Sequence, residues 1–144
     1  MHRVNRSILV TYSAEQMFDL VSDIARYPDY LPWCGSAGVR PLGDGHVEAT
    51  VTIDFGGVRS QFATRNLNTR PTAIELQLVD GPFKRLDGQW RFRALRADAC
   101  RVELHLRYEF VSGLLGRAIA PVFDGISASL IDSFSQRADA LYGQ

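Results

Sequence analysis

Cysteine is scarce. The 144 residues hold only Cys34 and Cys100, which are far apart in the chain. No disulfide framework and no CxxC pair can be drawn from them, and a reduced, cytosolic chain is the simpler expectation. Lysine is scarcer still: Lys84 stands alone, and sixteen basic residues in all are balanced by sixteen acidic ones. A formal net charge of zero argues against a generally basic nucleic-acid binder, though a local basic face stays open. No continuous apolar run reaches the roughly 18–20 residues that span a bilayer. The N-terminus starts basic, but its apolar run is short, so it reads as part of the fold and not as a signal peptide. His2, His46 and His105 are dispersed, and there is no GxSxG, phosphate-binding loop, GxGxxG, HExxH or paired-cysteine pattern. The expectation is a protein with no catalytic residues, no catalytic cofactor and no metal.

What is present describes a folded chain. Hydrophobic residues make up 46% and charged residues 22%, a balance that supports a core without metals or disulfides. The length fits one domain over residues 1–144. Residues 3–11 read as a strand. Ser13 followed by Gln16 fits a capping box, and Met17, Leu20, Val21 and Ile24 recur at helical spacing, which predicts a helix over 14–24. Pro28 and Pro32 then limit the chain to a short helical turn or loop. From 36 to 111 the pattern alternates. Val47, Ala49, Val51, Ile53 and Phe55 fall on one face; Val102, Leu104, Leu106, Tyr108 and Phe110 repeat the pattern against Arg101, Glu103, His105, Arg107 and Glu109. Gly56-Gly57 marks a hairpin turn. Glu103 and Glu109 face neighbouring arginines, so cross-strand ion pairing accounts for them. The helical period returns in the last segment, where Ile119, Val122, Phe123, Ile126, Leu130, Phe134, Ala138 and Leu141 form one stripe, and Pro121 either starts this helix, over 121–142, or kinks a longer one.

The expected architecture is α+β: a helix-grip fold, with a curved antiparallel sheet of about six or seven strands wrapped around a long C-terminal helix. One or two short helices follow the first strand. One helix cannot fill the concave side of such a sheet, so an apolar cavity is expected between them. Candidates to line it are Phe55, Phe62, Thr64, Trp90, Phe92, Tyr108, Phe110, Phe123, Ile126 and Leu130. Two apolar segments, 27–34 and 113–120, are expected either to pack on the sheet or to form its lid, with Tyr27, Leu31, Trp33, Leu114 and Leu115 at a mouth that touches a membrane.

The segment Tyr27-Pro28-Asp29-Tyr30-Leu31-Pro32-Trp33-Cys34 resembles the YPxFLPWC signature of the coenzyme Q-binding START-like family, within the polyketide cyclase/START-like superfamily. Asp80-Gly81-Pro82-Phe83, continuing through Leu86, Gly88, Trp90 and Phe92, resembles that family's DGPFxxLxGxWxF signature. The pattern around Phe123, Phe134, Arg137 and Ala138 agrees, and the likeness covers essentially the whole chain. The resemblance implies non-enzymatic binding of a hydrophobic ligand, first of all coenzyme Q or a related polyprenyl lipid, in support of respiratory electron transport. Bacterial members are known as ribosome-association toxins of the RatA type, which implies the alternative: binding the large ribosomal subunit and blocking subunit association. For that role Arg59, Arg65, Arg91, Arg93 and Arg107 are the candidate contacts, discounted by the interspersed Glu75, Glu103 and Glu109. A polyketide aromatase or cyclase is a weaker alternative, because it needs a buried acid–base pair and none is evident. The expected setting is the bacterial cytoplasm or the periphery of the inner membrane, as a monomer.

Overall fold

The structure is a computed structural model that describes residues 1–143. Strand β1 (His2–Val10) is followed by helix α1 (Ala14–Ser22) and a 3-10 turn (Ile24–Asp29). Six strands then run as a meander: β2 (Cys34–Gly43), β3 (His46–Phe55), β4 (Val58–Thr69), β5 (Ala73–Asp80), β6 (Phe83–Arg96) and β7 (Ala99–Phe110). Helix α2 (Leu114–Tyr142) closes the chain. The seven strands form one antiparallel sheet in the order β1-β7-β6-β5-β4-β3-β2, so the first strand returns to pair with the last. This is the expected helix grip.

Local chemistry sets each boundary. At the start of α1 the Ser13 hydroxyl accepts from the Gln16 amide at 3.0 Å, and the Ser13 amide donates back to Gln16 Oε1 at 3.0 Å. That capping box satisfies two otherwise orphaned donors. The helix stops at Ser22, earlier than its apolar spacing suggests. The Tyr27 hydroxyl donates to the Val21 carbonyl, so the 3-10 turn folds back on α1 and supplies a partner for its last turn. Gly56 and Gly57 both take positive φ, +60° and +80°, as a two-residue hairpin between twisted strands requires. Helix α2 begins seven residues before Pro121, and segment 113–120 is its first turns, not a loop. Ile119 is fully buried there, and its packing offsets the one backbone bond that Pro121 removes.

The alternation of β7 holds in three dimensions. Val102, Leu104, Leu106 and Tyr108 are buried, while Arg101 and Arg107 are exposed. The same phase carries through Trp90 and Phe92 in β6 and through Ile74 in β5, because the register pairs inward residues with inward ones. Two aromatic clusters join sheet to helix. Phe123 packs on Phe62, Phe83, Tyr108 and Phe110, and Phe134 packs on Trp90, Tyr27 and Tyr30. By length and composition α2 would suffice to cross a membrane, yet its apolar stripe (Ile119, Phe123, Ile126, Ile131, Phe134) is buried in this fold.

At Gly88 the β6 and β7 backbones come too close for any side chain: a Cβ would stand 2.2 Å from the His105 carbonyl oxygen. Gly88→Ala is therefore expected to force the strands apart and cost about 2–3 kcal/mol, read as a fall in the urea midpoint. An unchanged midpoint would show that the two strands separate there freely.

Candidate functional site

A cavity of about 100 Å³ lies between the concave face of the sheet and α2. Its floor is built by inward residues of β3, β4, β5 and β6, and its roof by Phe123, Ile126, Leu130 and Phe134 of α2. Of the residues proposed for this cavity, Phe62, Thr64, Trp90, Phe123, Ile126 and Leu130 line it. The other four lie elsewhere. Phe92 sits behind the wall, packed on Phe18 and stacked on Trp90. Tyr108 spends its hydroxyl on structure, donating to Asp124 Oδ1 at 2.6 Å with Ser127 Oγ at 3.1 Å, which ties β7 to α2. Phe110 stacks on Phe83 outside the cavity. Phe55 has the inward phase but is 53% exposed, because it ends β3 at the Gly56-Gly57 turn, where the sheet has outrun its cover.

The mouth residues also separate. Tyr27 and Trp33 line the cavity, while Leu31 is 1% exposed and belongs to the core, so Leu31 has no surface to offer a membrane. Trp33 is buried as well. Leu114 is 81% exposed and Leu115 is exposed beside it. Tyr27 packs on Phe134, twenty positions further along α2 than Leu114, which is about 30 Å at 1.5 Å per residue. Tyr27 and the leucine pair therefore do not share one opening.

The chemistry of the wall is neutral. Among the described residues no carboxylate, imidazole, lysine or arginine lines the cavity, and burial holds the Tyr27 phenol on its wall well above the usual range. No group of three or more His, Cys, Asp or Glu able to hold a metal occurs among the described residues. Burial pushes the Cys34 and Cys100 thiols up to about 11, which leaves neither as a thiolate near neutrality. Polar atoms come mainly from one strand: Thr64, Asn66 and Asn68 of β4 all line the cavity, with Ser22 from the end of α1. Asn66 and Asn68 are the residues that the sequence reading missed. Their signal was available, since they continue the two-residue period of Phe62 and Thr64.

Size constrains the occupant. An apolar cavity of about 150 Å³ takes up benzene, and drug-sized ligands need roughly 300–1,000 Å³. The cavity as it stands is smaller than that and open on one side, so it encloses part of a ring-sized group and a polyprenyl tail would extend beyond it.

The convex face carries the arginines. Arg59, Arg65, Arg91, Arg93 and Arg107 are all exposed. Arg59 pairs with Asp54 at 3.2 Å, Arg93 with Glu103 at 2.9 Å and Arg107 with Asp87 at 2.9 Å. Arg65 and Arg91 make no ion pair among the described residues. Glu103 takes two arginines, Arg93 and Arg101, whereas Glu109 meets Lys84 at 3.9 Å and not an arginine.

The family model for polyketide cyclase/dehydrase and lipid transport matches residues 10–135. The ribosome association toxin RatA of Vibrio cholerae is 42% identical over 144 residues, covering 100% of both chains. The mitochondrial coenzyme Q-binding protein COQ10 homolog B of Xenopus laevis is 26% identical over 144 residues, covering 97% of this chain and 59% of its own. The solution structure of the 18 kDa protein CC1736 of Caulobacter crescentus has a TM-score of 0.76 at 34% identity, covering 100% of both chains.

Three tyrosines around the helix titrate late. Burial holds Tyr27 and Tyr30 well above the usual phenol range. Burial and then the Asp124 hydrogen bond push Tyr108 up to about 12. The folded state keeps these protons more tightly than the unfolded state, so their contribution to stability is whole below about pH 10 and is lost as pH rises towards 12. Absorbance at 295 nm is expected to show these phenolates only above pH 10 in the folded chain, and near pH 10 in denaturant. Full ionisation of all five tyrosines near pH 10 without unfolding would contradict this packing.

Proposed function

The chain belongs to the polyketide cyclase/dehydrase and lipid-transport family of START-like proteins, and within it we propose a ribosome-associating protein of the RatA type that binds the large ribosomal subunit and keeps the subunits apart. The observation that carries this reading is the similarity to the Vibrio cholerae toxin, 42% identical over 144 residues. The convex arginine face supplies the chemistry. Arg65 and Arg91 meet RNA phosphates directly, while Arg59, Arg93 and Arg107 exchange carboxylate partners for phosphate. Exposed ion pairs are worth only about 0–1 kcal/mol each, so that exchange is cheap. In this reading the chain is a single domain over 1–144, monomeric and cytoplasmic.

A second reading is favoured by the cavity. A partly open apolar space with a short polar strip fits the end of a hydrophobic ligand such as a quinone ring or lipid end, and the coenzyme Q-binding relative agrees with it. Leu114 and Leu115 then serve as a peripheral membrane contact. An organic extract of the natively purified chain tests carriage by mass spectrometry: a stoichiometric polyprenyl quinone supports it. An empty chain that also takes up no added quinone removes it.

The ribosome reading is tested by sedimentation with purified subunits. Wild type is expected to travel with the large subunit and to reduce the yield of joined ribosomes. Arg65→Glu with Arg91→Glu is expected to weaken that association about tenfold or more at 100 mM salt, while Arg117→Glu on α2 leaves it intact. Association unchanged by the double reversal removes this face as the contact, and no association of wild type removes the reading.

A further inference from the structure

The cavity contains hydrogen-bonding capacity that the fold does not use. On β4, Thr64 (7% exposed) and Asn66 (2% exposed) both line it. The Thr64 hydroxyl donates to Asn66 Oδ1 at 2.7 Å, which occupies the amide oxygen and fixes the roll of the group. The amide NH₂ donates to no protein group among the described residues and is not one of the sealed, unpaired buried atoms, so it is open to a water or a ligand in the cavity. The strand neighbours of Asn66 are Val47 on β3 and Leu76 on β5, so an aliphatic side chain would suit the position better for packing alone. Trp33, 8% exposed and also on the wall, has a buried indole N–H with no partner. A buried donor left unpaired costs free energy that a partner restores.

We infer that Asn66, held by Thr64, is the head-group anchor of this cavity, and that its ligand is a neutral, ring-sized apolar molecule whose carbonyl oxygen accepts from the Asn66 amide. The surplus is of donors, which selects an acceptor. The absence of any charged side chain on the wall, among the described residues, selects a neutral molecule. The volume of about 100 Å³ is below the roughly 150 Å³ that takes up benzene, so the carbonyl end of a small ring compound is enclosed and the rest lies in the open mouth. Trp33 offers the ligand only its ring, because its N–H is shut off from the cavity space. The inference rests on the cavity being a ligand site, the second reading above.

Acetophenone and α-methylstyrene provide the test, because they differ by a carbonyl oxygen in place of a methylene. The hydrocarbon is favoured by its poorer hydration, so the informative quantity is how the ratio of the two affinities changes with the variant. Titrations of the ¹⁵N-labelled full chain, followed by NMR, are expected to move the Asn66 side-chain NH₂ signals with acetophenone. Asn66→Leu is expected to lower the acetophenone-to-α-methylstyrene affinity ratio about fivefold, the usual worth of one neutral hydrogen bond. Thr64→Val, close to isosteric, releases the amide and is expected to lower the ratio in the same direction, which keeps the test open if Asn66→Leu does not fold. If both compounds bind and the ratio is unmoved, the anchor is wrong while the cavity stands as a site. If neither compound binds, the cavity reading fails and takes the anchor with it.

Discussion

A helix about 10–12 Å across cannot fill the hollow of a seven-stranded sheet that curls around it. The rest of this structure depends on that misfit. Where the gap is narrow, aromatic rings close it: Phe123 meets four aromatic side chains from β4, β6 and β7, and Phe134 meets Trp90 from below and two tyrosines of the 27–34 segment from the side. Where the gap is wide, the cavity remains. Its walls are mostly aliphatic and aromatic, so removing it from water contributes to stability whether or not a ligand is present. The 3-10 turn belongs to the same solution. It lays Tyr27 and Tyr30 over Phe134 and closes the end of the grip, and Arg137 stacks over Tyr30 with its guanidinium carbon 4.6 Å from the ring centroid.

The pleat of the sheet keeps two kinds of chemistry apart. Inward residues of β3 to β7 bury rings and aliphatic chains, while outward residues carry nearly all the charge of the meander. Ion pairs across neighbouring strands, such as Arg93 with Glu103 and Arg107 with Asp87, hold the arginines in order without tying them up strongly. A protein built this way can meet a polyanion on its convex side and hold a neutral molecule on its concave side. The two surfaces share strands but no side chain.

Period-two alternation made the sheet, its wet face and most of the cavity floor legible in the sequence, and Ser13 with Gln16 marked the start of α1. The misses have physical causes. Phe55 obeys the inward phase, but phase does not reveal where a sheet extends past its helix. Pro121 allows either a helix start or a longer helix that runs through it, and packing of Ile119 selects the longer one. Of the two alternatives for segment 27–34, Leu31 and Trp33 take packing on the fold and not a membrane-facing mouth, because the Tyr27–Val21 hydrogen bond folds the loop onto the core. Asn66 and Asn68 went unnoticed because polar residues on an inward phase are easily taken for the wet end of a strand. How many arginines remain unpaired depends on cross-strand register, which no single strand displays.

We propose that the convex arginine face carries an association with the ribosome. Its most direct test is the salt dependence of wild-type binding to the purified large subunit, measured between about 50 and 200 mM salt. Contacts from several arginines to phosphates predict that the logarithm of the affinity falls linearly with the logarithm of salt, by roughly 0.7–0.9 for each phosphate neutralised. Binding that is tight but insensitive to salt across that range would contradict the claim and shift the contact to an apolar surface such as Leu114 and Leu115.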